Sequence, residues 1–245
     1  MMVTDSDVVQ ANVTRTPGLV QRLTGVLFSP RVTFTAIVHD PRPLGALVVV
    51  CLCVAAASGW LVSTPVGQQA VLEQQVDAME SFGVTVSDET YTQLEARLEN
   101  AAVFTVGGVM VWIPILTGLI AGLVWTVGYV IFGSQTRFKA MYAVVTHAGV
   151  VNIVQQMFVV PLNYARGAMG SPATVAAFFP MLEEGSFPQR ALSLVDLFIV
   201  WQLFLLAVGV GLLFKRRTGP IATTFYALYA VIAVSVGFAL SRLGG

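Results

Sequence analysis

Ionisable and amide side chains inside the long apolar segments of this 245-residue chain are its best candidates for chemistry. A polar group in the hydrocarbon layer of a membrane is costly unless it is paired, so it often marks a binding or transport site. The third apolar segment holds most of these groups, and the fourth adds an aspartate and a glutamine. The candidates are His147, Asn152, Gln155, Gln156, Asp196 and Gln202.

Two interpretations of the third segment stay open. Asn152, Gln155 and Gln156 share one helix face because they are three and four residues apart, whereas His147 lies off that face. A lined polar cavity would make the chain a small transporter or channel subunit. Hydrogen bonds between helices, each worth less than about 2 kcal/mol, would instead hold a bundle together. Because no carboxylate stands at a fixed spacing from His147, the sequence favours the bundle.

An intramembrane hydrolase is the third interpretation, and the sequence supports it least. Ser58-Gly59 matches half of a rhomboid-type G-x-S-G motif, but Ala56 replaces the first glycine. A serine nucleophile needs a histidine base, and His147 is the only candidate within an apolar segment. Phosphate-binding and zinc-protease motifs are missing from the sequence. We therefore predict a protein that is not an enzyme, with no catalytic residues, cofactor or metal.

The composition indicates which elements position these side chains. Hydrophobic residues make up 56% of the chain and charged residues only 11%, whereas soluble domains carry about a quarter charged residues. About 20 apolar residues suffice for a helix to cross a bilayer. The sequence therefore predicts an all-α integral membrane bundle of five transmembrane helices within residues 44–242. The predicted spans are residues 44–62, 101–132, 140–162, 192–214 and 221–240.

The distribution of positive charge predicts the orientation of the bundle. If the N-terminus is cytoplasmic, nine Lys and Arg residues fall in cytoplasmic segments and four fall outside. Cytoplasmic loops carry the excess of Lys and Arg, so we predict a cytoplasmic N-terminus and an extracytoplasmic C-terminus. The net charge is zero, which gives no reason to expect nucleic acid as a partner.

The segment before the first span divides into two parts. Residues 1–16 lack an apolar period and are predicted to be a disordered tail. Residues 17–43 show helical periodicity, and Ser29-Pro30 is a typical start for a second helix. We predict interfacial amphipathic helices with their apolar side toward lipid and arginines toward headgroups; the alternative is that they pack on the bundle. The expected contact residues are Leu19, Arg22, Leu23, Leu27, Arg31 and Phe34.

Residues 65–100 form the one sizeable polar module between predicted spans. Seven acidic residues stand here against a single arginine, Arg97. Ser87 can cap a helix whose first turn holds Asp88 and Glu89, where negative charge suits the helix dipole. We predict an acidic, extracytoplasmic helical hairpin. Binding of cations or of a basic partner is the alternative to a merely solvated surface.

The residues before the first span also carry a family resemblance. The stretch RLTGVLFSPRVTF (residues 22–34), followed by HDP (residues 39–41) and an apolar span, resembles the opening of bacterial Yip-domain proteins. These are relatives of the eukaryotic Ypt/Rab-interacting membrane proteins. The turn GSQTRFKA (residues 133–140) is similar to the central turn of that family. The resemblance covers about residues 20–242 and implies a five-span Yip-like domain with a cytoplasmic N-terminal segment.

The resemblance also implies what such a protein does. Its eukaryotic members act in vesicle trafficking and Rab binding, and its bacterial members associate with membrane complexes, including macrolide-exporter-type ABC transporters. The acidic tyrosine-glycine-proline motif of the eukaryotic cytoplasmic region is missing here, which argues against a GTPase partner. We therefore expect a membrane scaffold or accessory subunit in a bacterial cytoplasmic membrane. Its expected partners are the lipid bilayer and other membrane proteins, whether an ABC exporter or a second copy of the chain.

Overall fold

The computed structural model describes residues 17–81, 83–183 and 185–243, and the predicted tail, residues 1–16, lies outside them. The described part is all-α, as predicted, and includes one short 3-10 helix, Val175–Phe178. Its α-helices are α1 (Leu19–Phe28), α2 (Pro30–His39), α3 (Pro43–Ser63), α4 (Pro65–Ser81), α5 (Asp88–Leu98), α6 (Ala101–Phe132), α7 (Phe138–Ala148), α8 (Val151–Arg166), α9 (Phe187–Ser193), α10 (Leu197–Leu213) and α11 (Thr218–Leu243).

Four stretches of the described chain are long and apolar enough to cross a membrane. They are α3, α6, the stretch formed by α7 and α8, and α11, with mean hydropathies between 1.5 and 2.3. The fourth predicted span, residues 192–214, contains a shorter helix, α10, of 17 residues. It starts late because the side chain of Asp196 accepts hydrogen bonds from the N–H groups of Phe198 and Ile199 and so caps the helix there.

The third predicted span is one stretch long and apolar enough to cross a membrane, and a turn divides it into the two helices α7 and α8. Between α7 and α8 the N–H groups of Val150, Asn152 and Ile153 bond to the carbonyl three residues earlier, as in a 3-10 turn. The turn falls at Gly149, where an added Cβ would lie 3.1 Å from the carbonyl oxygen of Thr146. The break leaves His147 at the end of α7 and the three amide residues on α8.

Two of the long helices are peripheral. Helix α6 packs on α3 and α7, and α11 packs on α9 and α10. Close packing of α3 on α6 depends on Gly59, because a Cβ there would lie 2.7 Å from Cγ2 of Val106. Both α6 and α11 expose most of their side chains, and most of these are apolar. A surface of this kind is suited to contact with lipid hydrocarbon.

The amino-terminal hairpin, α1 and α2, is part of the core. Helix α2 packs against α7 and α10, and the side chains of Val26, Phe34 and Ile37 are fully buried. The close approach needs Gly209 on α10: a Cβ there would lie 2.4 Å from Cγ1 of Val144 and 3.1 Å from Cδ1 of Phe34. The apolar side of this hairpin therefore faces protein. The expectation that it faces lipid is corrected in favour of packing on the bundle.

The acidic segment forms a pair of helices, α4 and α5, joined through residues 82–87. The Ser87 hydroxyl accepts a hydrogen bond from the N–H of Thr90, which caps α5 as predicted. Leu72 and Leu98 are buried, whereas the carboxylates of this pair lie on its exposed side. The pair is tied to the bundle through packing of α4 on α3 and α8.

Candidate functional site

Arg22 is a buried residue that joins the two ends of the amino-terminal hairpin. Its Nε donates to the carbonyl of Pro17 at 3.0 Å and its Nη1 to the carbonyl of Asp40 at 2.7 Å. Its Nη2 donates to the Asp40 carboxylate at 2.9 Å. The Arg22 side chain is only 3% exposed, so in this structure it does not reach lipid headgroups. It joins the start of α1 to the end of α2, which corrects the role expected from the sequence.

Asp40 has a second arginine partner at the surface. Arg42 Nε lies 2.8 Å from the Asp40 carboxylate, and the Arg42 side chain is 68% exposed. Partial burial acts to raise the pKa of Asp40, but hydrogen bonds and charge from Arg42 and Arg22 outweigh it and hold that pKa below its usual 3.8. The carboxylate is therefore ionised, and both pairs persist at neutral pH.

The other residues expected at the interface divide between core and surface. Phe34 is fully buried, and Leu23 and Leu27 are half-buried against a cluster that contains Val50 and Val54 of α3. Leu19 is partly exposed and packs close to Gly45, and Arg31 is exposed. Most of the predicted contact set thus fixes the hairpin to the bundle.

His147 and Ser58 are not brought together. His147 is fully buried, and its Nδ1 lies 2.8 Å from the carbonyl of Ala143. A carbonyl only accepts, so Nδ1 carries the proton and donates. Nε2 has no partner within the described residues. Ser58 Oγ donates instead to Gln156 Oε1 at 3.5 Å. These contacts do not support a Ser–His hydrolase pair.

Asp196 organises a polar junction at the start of α10. Its Oδ1 accepts from the N–H of Phe198 at 2.7 Å and from that of Ile199 at 3.4 Å. Its Oδ2 accepts from the Ser171 hydroxyl and, at 3.5 Å, from Gln155 Nε2 of α8. Both carboxylate oxygens are thus occupied, so Gln155 and Asp196 form a structural contact between helices.

Tyr229 ties α11 to the same junction. Its hydroxyl accepts from the N–H of Asp196 at 3.0 Å and donates to the carbonyl of Leu194 at 2.7 Å. An isolated antiparallel bridge pairs Thr174 with Asp196, and in it the N–H of Leu197 donates to the carbonyl of Ala173 at 3.0 Å. The junction therefore joins α8, α10, α11 and the loop that precedes α9.

Asn152 faces a cavity and has no hydrogen-bond partner among the residues that the structure describes. The cavity measures about 210 Å³, lies among α3, α6, α7, α8 and α10, and is also lined by Gln202 and Thr146. The amide side chains of Asn152 and Gln202 make no hydrogen bond to any described residue. The three amides of α8 therefore serve three separate environments: this cavity, the Asp196 junction and Ser58.

The sequence model of the Yip1 domain family matches residues 24–241. The chain belongs to the Yip1 domain family. The match runs from the second half of α1 to the last turn of α11, and it confirms the resemblance to Yip-domain proteins. No curated protein and no solved structure matches the chain.

The Yip1 domain of this chain displays a small apolar and basic surface at the tip of its amino-terminal hairpin. We call it the tip ridge and define it as Phe28, Arg31 and Val32. Phe28 is 85% exposed and Val32 is 75% exposed. Periodicity indicates Val32 as an apolar position of the second helix, whereas Phe28 falls outside the stripe of Leu19, Leu23 and Leu27 and is not predicted. The signal for Phe28 is its place immediately before Ser29-Pro30, which marks the turn of the hairpin.

Proposed function

We propose that this Yip1-family membrane protein is a non-enzymatic scaffold or accessory subunit of a membrane complex, acting through contacts with lipid and with other proteins. The observation that carries the proposal is the tip ridge. Two large apolar side chains and an arginine are exposed on a hairpin whose other face is locked into the core by Arg22 and Phe34. Exposed apolar side chains near an arginine, on a hairpin that is fixed to the bundle, offer a partner both apolar contact and charge.

The polar residues within the apolar helices support this proposal over the alternatives. A hydrolase needs its hydroxyl next to its imidazole, and Ser58 and His147 have different partners. A transporter needs one continuous polar path. Asn152 borders a cavity, whereas Gln155 and Gln156 contact Asp196 and Ser58. Contacts of this kind hold helices together.

We propose five membrane crossings, with α10 as the additional short span. Its 17 residues extend about 26 Å, close to the roughly 30 Å thickness of the hydrocarbon core. Contacts between helix ends support alternating directions. The ring centroids of Trp60, late in α3, and Tyr164, late in α8, lie 5.5 Å apart. Phe34 lies in the opposite half of the bundle, beside Val144 and Gly209. A bacterial cytoplasmic membrane, with the N-terminus inside and the C-terminus outside, suits the distribution of Lys and Arg.

Single-cysteine labelling tests the crossings and the orientation. With Cys51 and Cys53 replaced, a cysteine at Glu80 should react with an impermeant thiol reagent added to intact cells. A cysteine at Arg217 should react only after lysis. Both positions are exposed, so accessibility reports on the side of the membrane alone. The reverse pattern would overturn the orientation, and reaction of both from outside would overturn the number of crossings.

Substitution of the tip ridge tests the function. Phe28→Glu combined with Val32→Glu should remove the apolar patch and abolish co-purification with partner proteins, an ABC-type exporter among the candidates, from native membranes in mild detergent. Because both side chains are exposed, the free energy of unfolding should stay within about 0.5 kcal/mol of the wild-type value. Leu23 and Leu27 are unsuitable targets because they pack on α3.

Val84→Glu is the matched control. Val84 is an exposed apolar residue between α4 and α5, outside the amino-terminal hairpin, and this variant should keep every partner that the wild type keeps. If the double variant also keeps its partners in full, the tip ridge is not the contact surface. The acidic pair α4 and α5 would then be the next surface to test.

A further inference from the structure

A second cavity lies beside the one that Asn152 faces. It measures about 330 Å³ and is lined by α6, α7, α10 and α11, which places it at the lower end of the range of about 300–1,000 Å³ found for ligand pockets. Its lining is apolar except near Gln202 and Tyr229. Ile120, Val145 and Gln202 line both cavities, so the two adjoin.

The larger cavity opens between two peripheral helices. Helix α6 packs on α3 and α7, α11 packs on α9 and α10, and the cavity occupies the gap between α6 and α11. Leu123 on one rim is 63% exposed, and Leu228 on the other is 53% exposed. Both rims belong to helices long and apolar enough to span a membrane. Lipid hydrocarbon is therefore what meets this opening.

The shape of the cavity suits a lipid chain. On α10 the lining residues run from Ile199 to Leu206, and on α11 from Phe225 to Ile232. Seven residues of helix correspond to about 10 Å along the helix axis. The cavity thus extends parallel to the spans, which is the direction of acyl chains in a bilayer.

Two amides need a polar occupant: Gln202, which lines both cavities, and Asn152, which lines the smaller one. Gln202 and Asn152 each offer N–H donors and a carbonyl acceptor, and neither has a partner among the described residues. Unpaired polar groups in hydrocarbon are costly. The nearby Thr146 hydroxyl already donates to the carbonyl of Tyr142 at 2.7 Å. Water alone would satisfy the amides but would leave the apolar part unfilled, since apolar cavities stay dry.

We propose that the joined cavities bind one diacyl membrane lipid. Its acyl chain lies between α6 and α11, and its ester carbonyl accepts hydrogen bonds from the side-chain N–H groups of Gln202 and Asn152. This site is independent of the tip ridge and of the scaffold function.

Competition between ester and ether lipids tests the proposal. The full chain is reconstituted in vesicles of dialkyl-ether phosphatidylcholine, which lacks ester carbonyls, with a small fraction of diazirine-tailed diacyl phosphatidylcholine as the probe. After irradiation, labelling of residues 197–232 is divided by labelling of residues 103–112 of α6, where four of the apolar side chains are well exposed. A hydrogen bond of the strength found between membrane helices should enrich the probe about threefold to tenfold at the cavity.

Two variants and their controls separate the parts of the proposal. Gln202→Leu should bring the labelling ratio close to one, and Leu228→Trp should lower it by filling the opening. Gln155→Leu removes an amide that does not line the cavities, and Val231→Trp adds a ring at an exposed position of α11 outside them; both should keep the wild-type ratio. The proposal is overturned if the labelling ratio of the wild type is near one, or if Gln202→Leu keeps an enriched ratio. Water would then be the occupant of the polar cavity.

Discussion

Replacing Phe34 with alanine should lower the free energy of unfolding by about 3–5 kcal/mol, the range for truncating a buried aromatic ring. Phe34 is fully buried on α2 and lies against the position where Gly209 lacks a Cβ. The hole left by the ring cannot close easily, because Val144 already approaches the same point of α10. Unfolding of the purified chain in detergent, followed by far-ultraviolet circular dichroism, measures the loss.

Val32→Ala provides the control for this prediction. Val32 lies two residues earlier on the same helix and is 75% exposed, so its truncation should change stability by less than about 0.5 kcal/mol. Equal effects of the two substitutions would mean that α2 lies at a surface where neither face is packed. The hairpin would then be interfacial, as the sequence alone suggested.

Replacing Arg22 with methionine should destabilise the protein by about 3 kcal/mol, because a buried guanidinium loses hydrogen bonds to two carbonyl oxygens and a carboxylate. Methionine keeps much of the apolar volume, so the loss reports on the polar contacts. Unfolding in detergent, measured as for Phe34→Ala, gives the size of the loss in free energy of unfolding. The Arg22→Met substitution should also release the start of α1 from the end of α2.

Arg42→Met is the control for Arg22. Arg42 pairs with the same carboxylate, but its side chain is 68% exposed, and exposed ion pairs contribute little to stability. The two arginines should therefore differ strongly although they share Asp40. If Arg22→Met lowers the free energy of unfolding as little as Arg42→Met does, the hydrogen bonds of Arg22 to Pro17 and Asp40 do not hold the hairpin together.

The sequence predicted the helices of the hairpin well but not their surroundings. The stripe of Leu19, Leu23 and Leu27 identifies an apolar face, and Ser29-Pro30 marks the turn. An apolar face is equally satisfied by lipid and by a protein core, so periodicity does not distinguish them. The sequence places Arg22 at lipid headgroups because nothing in it reveals the partner, Asp40, which is 18 residues away. That pairing becomes visible only once α1 and α2 fold together.

For the polar residues of the apolar segments, too, some features could be predicted from the sequence and others could not. Their positions and their cost in a membrane could be predicted, and the contact of Gln155 with Asp196 fits the expected bonding between helices. Two local effects could not be predicted. The break at Gly149 separates His147 from the amide residues, and the cap at Asp196 shortens α10. The meeting of Asn152 and Gln202 at one cavity depends on how α8 and α10 pack, which spacing within one helix does not report.

Hydrogen exchange of α2 tests the central claim, that the amino-terminal hairpin is built into the bundle and presents the tip ridge from there. The full chain in detergent is exposed to deuterated solvent, and uptake is followed by mass spectrometry for α2, α7 and α5. Because α2 packs against α7 and α10, its amides should exchange as slowly as those of α7 and far more slowly than those of exposed α5. Exchange of α2 at the rate of α5 would contradict the claim and place the hairpin outside the bundle.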